Sequence, residues 1–442
     1  MHRTMTEGNL VRILIWFSIP LVLSGILQQL YAWADAFIVG NLVSGSALAA
    51  VGATATLNNL FVQVITGLSL GASLLAARLF GEGERDQIRR VISTFVLVLG
   101  GSFLLVGAVA SLMMGPILRW MDTPPDIVGM SRQYMEIIVL GLPFTAVYNV
   151  YAAVLRGLGE SKAPLYAVLV ASVVNVGLDL LLVGPLRMGV RGAAVATVAA
   201  QLMMVLFVIV YANWKSDLFR FRPAWGCIDG CVLRQGLALG LPVAIQSSIS
   251  SLGSLALQNF MNGFGTPTVE AITTAYRVDM VIMLPVINLS AGISTVVAQN
   301  IGARNTRRAR QALLVGMGLM SAVCLGLTAL VIGVGADLIA MFGAAEEAVL
   351  IGRSFFRIIA WFYVIYGLAM SLRGFLEGIG DVLFSSVMGL AALGLRIVLS
   401  YSFAPVGNMI IAYAEGISWC AMLLLFAVRF LWKYRRLQEE QP

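Results

Sequence analysis

The chain repeats itself at half its length, with a constant shift of 221 residues between the two copies. The sequence LSLG at 68–71 returns as LSAG at 289–292, and RGLGE at 156–160 returns as EGIGD at 377–381. Repeats that build solenoids have periods of about 20–50 residues. The much longer period of this chain therefore predicts two large homologous lobes.

The composition places both lobes in a membrane. Hydrophobic residues make up 59% of the chain and charged residues 12%, whereas about 25% of the residues of an ordinary soluble domain are charged. Apolar runs long enough to cross a bilayer as a helix recur along the whole sequence. They predict an all-α polytopic membrane protein with twelve transmembrane helices in two homologous six-helix lobes. The predicted spans are 13–39, 47–79, 91–115, 131–155, 163–184, 192–213, 236–262, 269–300, 312–342, 351–372, 382–404 and 409–430.

The basic residues predict how the chain is oriented, because cytoplasmic loops of membrane proteins carry an excess of Lys and Arg. With both termini in the cytoplasm, 21 of the 29 Lys and Arg residues fall in the tails and cytoplasmic turns. We therefore expect a multi-pass protein of the inner (plasma) membrane with cytoplasmic termini. The predicted domains are an N-lobe (1–214, helices 1–6), a cytoplasmic linker (215–235) and a C-lobe (236–442, helices 7–12).

The net charge of +7 indicates contact with anionic lipid. Nucleic acid is not an expected partner, because the basic residues lie on separate turns instead of one folded face.

Prolines interrupt four of the predicted spans. A proline inside a helix removes a backbone hydrogen bond and kinks the helix, and both a hinge and a fixed kink remain open. These prolines are Pro20, Pro143, Pro242 and Pro285, of which Pro20 and Pro242 correspond at a shift of 222.

Polar residues inside the apolar spans point to a function. A carboxylate near the bilayer centre costs about 2.5–3.5 kcal/mol on insertion scales, so each one kept there needs a role or a partner. Asp35 lies in span 1, and Gln28 and Tyr31 precede it on the same helix face. In span 5, Asn175 lies one helical turn before Asp179.

Span 6 adds Thr197 in a stretch of small residues that allows helices to approach closely. Oxygen ligands suit hard cations such as Na+, and paired carboxyl groups in a low dielectric retain a proton more readily than carboxyl groups in water. These residues predict a cation-coupling site for Na+ or H+, with the choice of ion open. The alternative is hydrogen bonding between neighbouring helices. The predicted cation-coupling residues are Asp35, Asn175, Asp179 and Thr197.

Several segments resemble signatures of the MATE family, the multidrug and toxic compound extrusion transporters. The stretch 19–40, which contains Asp35, and ALAAVG at 47–52 look like the first two helices of that family. Segments 67–72, 155–160 and 192–197 are similar to further signatures, so the resemblance extends over the whole chain. It implies two six-helix lobes that form a V and alternate its opening. It also implies secondary active efflux of organic, often cationic, compounds in exchange for Na+ or H+.

The resemblance also implies where the coupling ion binds. In one prokaryotic branch of the family, the cation site lies in the N-terminal lobe. It consists of an aspartate in helix 1, Asn-x3-Asp in helix 5 and a threonine in helix 6, which Asp35, Asn175, Asp179 and Thr197 match. Tyr134 matches a tyrosine that lines the same lobe. The predicted substrate-binding residues are Gln28, Tyr31, Tyr134 and Asn149.

The C-lobe departs from another branch of the family, which carries a glutamate in helix 7. Span 7 contains SSISSL at 247–252 and no acid, so we expect no second cation site of that type. The repeat places Arg396 opposite Asn175 and Ser400 opposite Asp179. The remaining acids of the C-lobe are expected to neutralise Arg277 or Arg396, because unpaired buried charge is costly. These acids are Glu270, Asp279, Glu377 and Glu415.

The sequence shows no enzyme motif: it has no His pair for zinc and no phosphate-binding Gly-x4-Gly-Lys-Ser/Thr loop. We expect no catalytic residues and no cofactor beyond the coupling ion. The expected partners are small-molecule drugs or organic cations and membrane lipids, and the expected state is a monomer. One alternative is a flippase for a lipid-linked precursor, as in related families, which would need a cationic cavity. A non-transporting scaffold is a second alternative, but it gives no reason to keep the predicted coupling residues together.

Overall fold

A computed structural model describes residues 5–215 and 228–439 of the chain. Within these ranges every regular element is helical. Most of the predicted linker, residues 216–227, lies outside the described residues. The backbone forms two compact units, one of residues 20–244 and the other of residues 5–19 and 245–439. The lobe boundaries given above come from the sequence repeat and stay a prediction.

The first unit contains most of the helices from the N-terminal half, and two of its helices continue into the second unit's residues. Its helices are α1 (Leu10–Leu42, from Pro20 onward), α2 (Gly45–Glu82), α3 (Arg85–Leu112), α4 (Met114–Trp120), α5 (Pro125–Leu140), α6 (Leu142–Gly157), α7 (Lys162–Val183), α8 (Gly189–Lys215) and α9 (Gly230–Asn262, as far as Ala244).

The second unit contains the remaining parts of α1 and α9 and all later helices. These are α10 (Thr266–Ile282), α11 (Leu284–Gly302), α12 (Thr306–Met341), α13 (Glu346–Ile359), α14 (Tyr363–Gly378), α15 (Val382–Ser402) and α16 (Ile410–Glu439), with short 3-10 segments at Ala360–Phe362 and Ala404–Val406.

The helices confirm the predicted membrane architecture. Among the described residues, eleven helical stretches are long and apolar enough to cross a membrane. The pair α5 and α6, bent by 45° at its junction, makes the twelfth. The chain is therefore an all-α, multi-pass membrane protein with twelve transmembrane segments.

Two of the four prolines lie at real breaks between helices. Pro143 and Pro285 occupy the first turns of α6 and α11, where a helix needs no N–H from the residue. Pro20 and Pro242 instead lie inside α1 and α9, which are continuous helices. The expected interruption thus occurs at Pro143 and Pro285, whereas at Pro20 and Pro242 the helix continues through the proline.

The two copies of the sequence repeat pack equivalent helices against each other in the same way. In the first unit α6 packs against α2, and in the second α14 packs against α11. A Cβ atom at Gly157 would collide with the carbonyl oxygen of Ser73. At the equivalent position Gly378, a Cβ atom would lie 2.7 Å from the carbonyl oxygen of Ser294. Each unit therefore has the same close backbone approach, which only glycine allows.

The turn that follows each of these helices also contains a repeated ion pair. Gly159 and Gly380 end the helices with φ of 85° and 90°, a conformation that favours glycine. The acid after each glycine pairs with a base on the last helix of its own sequence half. Glu160 lies 2.5 Å from Lys215, and Asp381 lies 2.7 Å from Arg429.

Candidate cation-coupling site

The predicted coupling residues converge inside the first unit. Asp35 comes from α1, Asn175 and Asp179 come from α7, and Thr197 comes from α8. The helices α7 and α8 pack closely along their length, because α8 presents small side chains such as Ala193 and Ala196.

The site is closed off from the surface. Asn175 and Asp179 are fully buried, and Asp35 is 9% exposed. The carboxyl groups of Asp35 and Asp179 lie close enough for each to act on the charge of the other. Two ionised carboxylates this close in a buried site repel each other, and a proton or a cation relieves that repulsion.

The buried polar atoms of the site lack other partners. Among the described residues, no donor reaches either oxygen of Asp179 or Oδ1 of Asp35. The amide of Asn175 is likewise without a partner in the described chain. Native proteins rarely leave buried polar atoms unsatisfied, so a cluster of them is suited to hold a ligand of its own. The donor set consists of oxygen-bearing side chains and therefore fits Na+ or a proton.

Hydroxyl groups complete the surroundings of the two carboxylates. Thr197 Oγ1 donates to the Ala193 carbonyl at 3.0 Å, so its lone pairs remain available to a ligand. Tyr31 and Tyr134 lie near the Thr197 hydroxyl and near both carboxyl groups. The two predicted tyrosines thus lie beside the coupling residues.

The other two predicted substrate-binding residues bond locally. Gln28 Nε2 donates to Ser24 Oγ at 3.4 Å, one turn earlier in α1. Asn149 Nδ2 donates to the Thr145 carbonyl at 2.9 Å within α6. Their role in substrate binding stays a prediction.

The acids of the second unit have partners that the sequence did not reveal. Glu415 accepts from Arg396 at 2.8 Å, as expected. The expectation that the other acids neutralise Arg277 or Arg396 is wrong for Glu377 and Glu270, which bond elsewhere, whereas Asp279 faces the positive charge of Arg396 in addition to its hydrogen bond. Asp279 accepts from the Tyr363 hydroxyl at 2.5 Å, Glu377 from Arg373 at 2.7 Å and Glu270 from the Ala345 amide at 3.1 Å.

Sequence reasoning also missed a cavity in the second unit. It has a volume of about 320 Å³, and its lining includes Asp279, Arg396, Glu415 and Ser418. The internal repeat contained a signal for it. A shift of 221 carries Asn175 onto Arg396 and Thr197 onto Ser418, so the cavity contains the counterparts of two coupling residues.

A family model described as MatE matches the chain twice, over residues 20–181 and again over residues 242–402. The two matches begin 222 residues apart and end 221 residues apart. This is the shift of the internal repeat, so each matched segment corresponds to one copy.

Relatives and solved structures match over nearly the whole chain. The chain is 27% identical to the "Probable multidrug resistance protein YoeA" of Bacillus subtilis (strain 168), over 95% of this chain and 94% of that relative. It is 28% identical to the "Probable multidrug resistance protein YpnP" of the same organism, over 95% and 98% respectively. The structure of a multidrug resistance MATE family transporter of the MOP superfamily, in an outward-facing conformation, matches with a TM-score of 0.86 at 20% identity. That match covers 98% of both chains and shows a shared fold.

Proposed function

The chain belongs to the MatE (MATE) family, and from that premise we propose that it is a secondary active multidrug efflux transporter. It exports small organic compounds, often cationic, in antiport with Na+ or H+ by alternating access. The relatives that are named as multidrug resistance proteins support drugs as the substrate class. In this role the protein is a transporter and not an enzyme.

One observation supports ion coupling above the others. Asp35 and Asp179 place two carboxyl groups close together in a buried site where no described donor satisfies Asp179. With both groups ionised and nothing between them, the site would contain two like charges in a low dielectric, which is costly. A proton or a sodium ion removes that cost. The free energy of the site therefore depends on the ion, and such a dependence is what couples an ion gradient to a conformational change.

The rest of the proposal follows from topology and composition. Both termini lie in the cytoplasm, on the side where the basic turns are concentrated. The protein works as a monomer that contacts small-molecule substrates and membrane lipids. It needs no cofactor beyond the coupling ion.

The flippase alternative has less support. A pyrophosphate group would need cationic side chains that are free to bind it. In the second unit Arg396 is engaged by Glu415 at 2.8 Å, and Arg373 by Glu377 at 2.7 Å. These arginines already have acidic partners, and we therefore favour drug efflux.

Transport by the purified protein tests the proposal. The full chain is reconstituted in liposomes without ATP, and a Na+ gradient or a proton gradient is imposed separately. We expect one of the two gradients to drive movement of ethidium, and an ionophore for that ion to abolish it. No movement with either gradient, or movement only with ATP, would contradict secondary active transport.

A further inference from the structure

The last helix, α16, carries an exposed apolar face that ends in basic residues. The helix has 30 residues and is therefore about 45 Å long, whereas the hydrocarbon core of a bilayer is about 30 Å thick. Leu424, Val428 and Leu431 are exposed and follow one another at the spacing of a single helix face. About three turns after Leu424 the same face reaches Arg435, with Arg436 beside it. The face thus changes from apolar to cationic towards the end of a helix that is longer than the hydrocarbon core is thick.

Trp432 lies at the point where this change occurs. Its side chain is 40% exposed, and tryptophan is enriched at the level of the lipid headgroups, because its ring is apolar and its N–H is polar. The guanidinium carbons of Arg429 and Arg436 lie 4.5 and 3.9 Å from its ring centroid, and Nζ of Lys433 lies 5.6 Å from it. All three distances are within the range of a cation–π contact, which is about 6 Å. The ring therefore holds three positive charges close together.

Among the described residues, an acid neutralises only one of these three cations. Arg429 donates to both carboxylate oxygens of Asp381, at 2.7 and 3.2 Å. In the described parts of the chain, no acid lies within ion-pair distance of Lys433, Arg435 or Arg436. Lys433 and Arg436 are three residues apart and thus neighbours on the helix surface, where like charges repel. An anion between them relieves that repulsion.

The residues that follow in the sequence do not cancel this positive charge. Glu439 and Glu440 are the two acids after Arg436, and their side chains lie outside the described residues. Residues 429–442 contain four basic and two acidic side chains. This end of the chain is therefore cationic.

Packing on the other side of α16 holds this end of the helix in place. The ring of Phe430 packs edge-on against Phe375 of α14, with the centroids 5.1 Å apart, and stacks with Tyr434 of its own helix at 5.7 Å. The guanidinium carbon of Arg310, from α12, lies 5.2 Å from the Tyr434 ring centroid. Because residues two apart lie on nearly opposite sides of a helix, these contacts leave the side with Trp432 facing outward. A ligand therefore meets a surface that it does not have to order.

We propose that the exposed end of α16 binds one anionic phospholipid. The lipid phosphate accepts hydrogen bonds from Arg435 and Arg436, Lys433 adds a positive charge, and the acyl chains lie along the apolar face that precedes these residues. A soluble anion would use only the basic part of this surface, whereas a phospholipid uses both parts. A zwitterionic lipid has the same phosphate, but its ammonium group meets cations that have no described acidic partner. The site therefore selects phospholipids by net negative charge.

Lipid binding by the purified full chain tests the site. The protein in detergent is titrated with phosphatidylglycerol, and native mass spectrometry measures the affinity for each lipid that binds. We expect the first phosphatidylglycerol to bind at least about tenfold more tightly than phosphatidylcholine with the same acyl chains. Equal affinity for the two lipids would overturn the proposal.

Removal of two charges from the exposed face should abolish this preference. In the double variant Arg435→Gln and Arg436→Gln, the affinity for phosphatidylglycerol should fall at least about tenfold. The matched control is Arg307→Gln with Arg310→Gln, which removes two exposed cations of α12. Arg310 contacts α16 on the side of Tyr434, away from the proposed site, so the control should bind phosphatidylglycerol like the wild type. An equal loss in both double variants would indicate general attraction to a positive surface and would overturn the site.

A variant that keeps the charges shows whether charge or a change of structure causes the loss. Arg435→Lys with Arg436→Lys should bind phosphatidylglycerol within about threefold of the wild type, because lysine keeps the charge and loses only the paired hydrogen bonds of arginine. Binding as weak as that of the glutamine variant would overturn the proposal. Glycerol 3-phosphate, a soluble headgroup without acyl chains, should not displace the lipid at equal concentration. Displacement would assign the site to a soluble anion instead.

The inference goes beyond the proposed transport, and the titration uses neither a drug nor an ion gradient. The two proposals can therefore fail separately. Binding of phosphatidylglycerol at this site without gradient-driven export would contradict only the efflux function. Export without a preference for anionic lipid would contradict only the lipid site.

Discussion

Both carboxylate oxygens of Asp179 are buried, and none of the residues that the structure describes donates to them; the amide of Asn175, one turn earlier, is in the same condition. Each buried polar group left unsatisfied costs about 1–3 kcal/mol. A proton or sodium ion relieves that cost at several atoms at once. The coupling ion should therefore stabilise the folded protein as well as drive transport.

The two aspartates can be tested by removing one charge at a time. Asp35→Asn and Asp179→Asn should each abolish gradient-driven export and still give a folded, membrane-inserted protein, because an asparagine removes the charge and adds a donor for the remaining carboxylate. The hydrogen bond from the new asparagine amide to the remaining carboxylate should raise the free energy of unfolding by roughly 1 kcal/mol.

Export is measured in proteoliposomes and stability by thermal unfolding in detergent. The control is Glu136→Gln, which removes a half-buried acid of α5 that pairs with Arg132. It should leave export unchanged. Wild-type export by either aspartate variant would exclude this coupling site.

A second prediction concerns the hydroxyl of the site. Thr197→Ala removes one neutral oxygen ligand. It should weaken binding of the coupling ion by about 1 kcal/mol, which is roughly a fivefold loss of affinity. The ion concentration for half-maximal export should rise by that factor, while the maximal rate changes little. Complete loss of export would mean that Thr197 does more than supply one neutral ligand.

The candidate coupling residues stand out in the sequence because a carboxylate is rare inside an apolar span and is seldom kept without a role. The cavity of the second unit could not be found in this way. Its acids, such as Asp279 and Glu415, lie far apart in the chain, and several predicted helices carry basic residues that could pair with them. The folded structure shows which partner each acid takes: Glu415 pairs with Arg396, as the sequence suggested, and Asp279 accepts from the Tyr363 hydroxyl, which the sequence did not suggest.

At the scale of the helix, length and apolarity were enough to predict the spans but not their breaks. Pro20 and Pro143 both occur inside long apolar runs, yet α1 continues through Pro20 and the chain breaks before Pro143. A proline costs a backbone hydrogen bond in either place. Whether the helix continues through a proline depends on whether neighbouring helices and side chains satisfy the freed backbone groups. A single sequence does not show this.

The close approach of paired helices gives a third prediction. Gly157→Ala and Gly378→Ala should each lower stability by about 1–3 kcal/mol, because the new methyl group has no room beside a backbone carbonyl. Gly101→Ala and Gly318→Ala are the matched controls. Both lie in helices with open space around the added Cβ atom, and alanine there should be neutral or slightly stabilising. Thermal unfolding in detergent measures all four, and equal stability in the two pairs would contradict the packing argument.

At the scale of the whole molecule, orientation in the membrane is the prediction to test. In a variant without the four native cysteines, Gln87→Cys should react with an impermeant thiol reagent only from the cytoplasm. Glu346→Cys should react only from outside. Both positions are exposed in the structure, and the prediction rests on the excess of basic residues in cytoplasmic turns. Labelling from the opposite sides would reverse the topology.

The proximity of Asp35 and Asp179 also has a consequence for stoichiometry and voltage. Two carboxyl groups have room for two protons, whereas a sodium ion shared between them carries a single charge. Exchange of one monovalent drug cation for one ion is electroneutral, but exchange for two protons moves a net positive charge inward. A membrane potential then adds about 2.3 kcal/mol per 100 mV to the driving force for each charge moved. Ethidium export from proteoliposomes clamped at different potentials with potassium and valinomycin therefore counts the ions exchanged in one cycle.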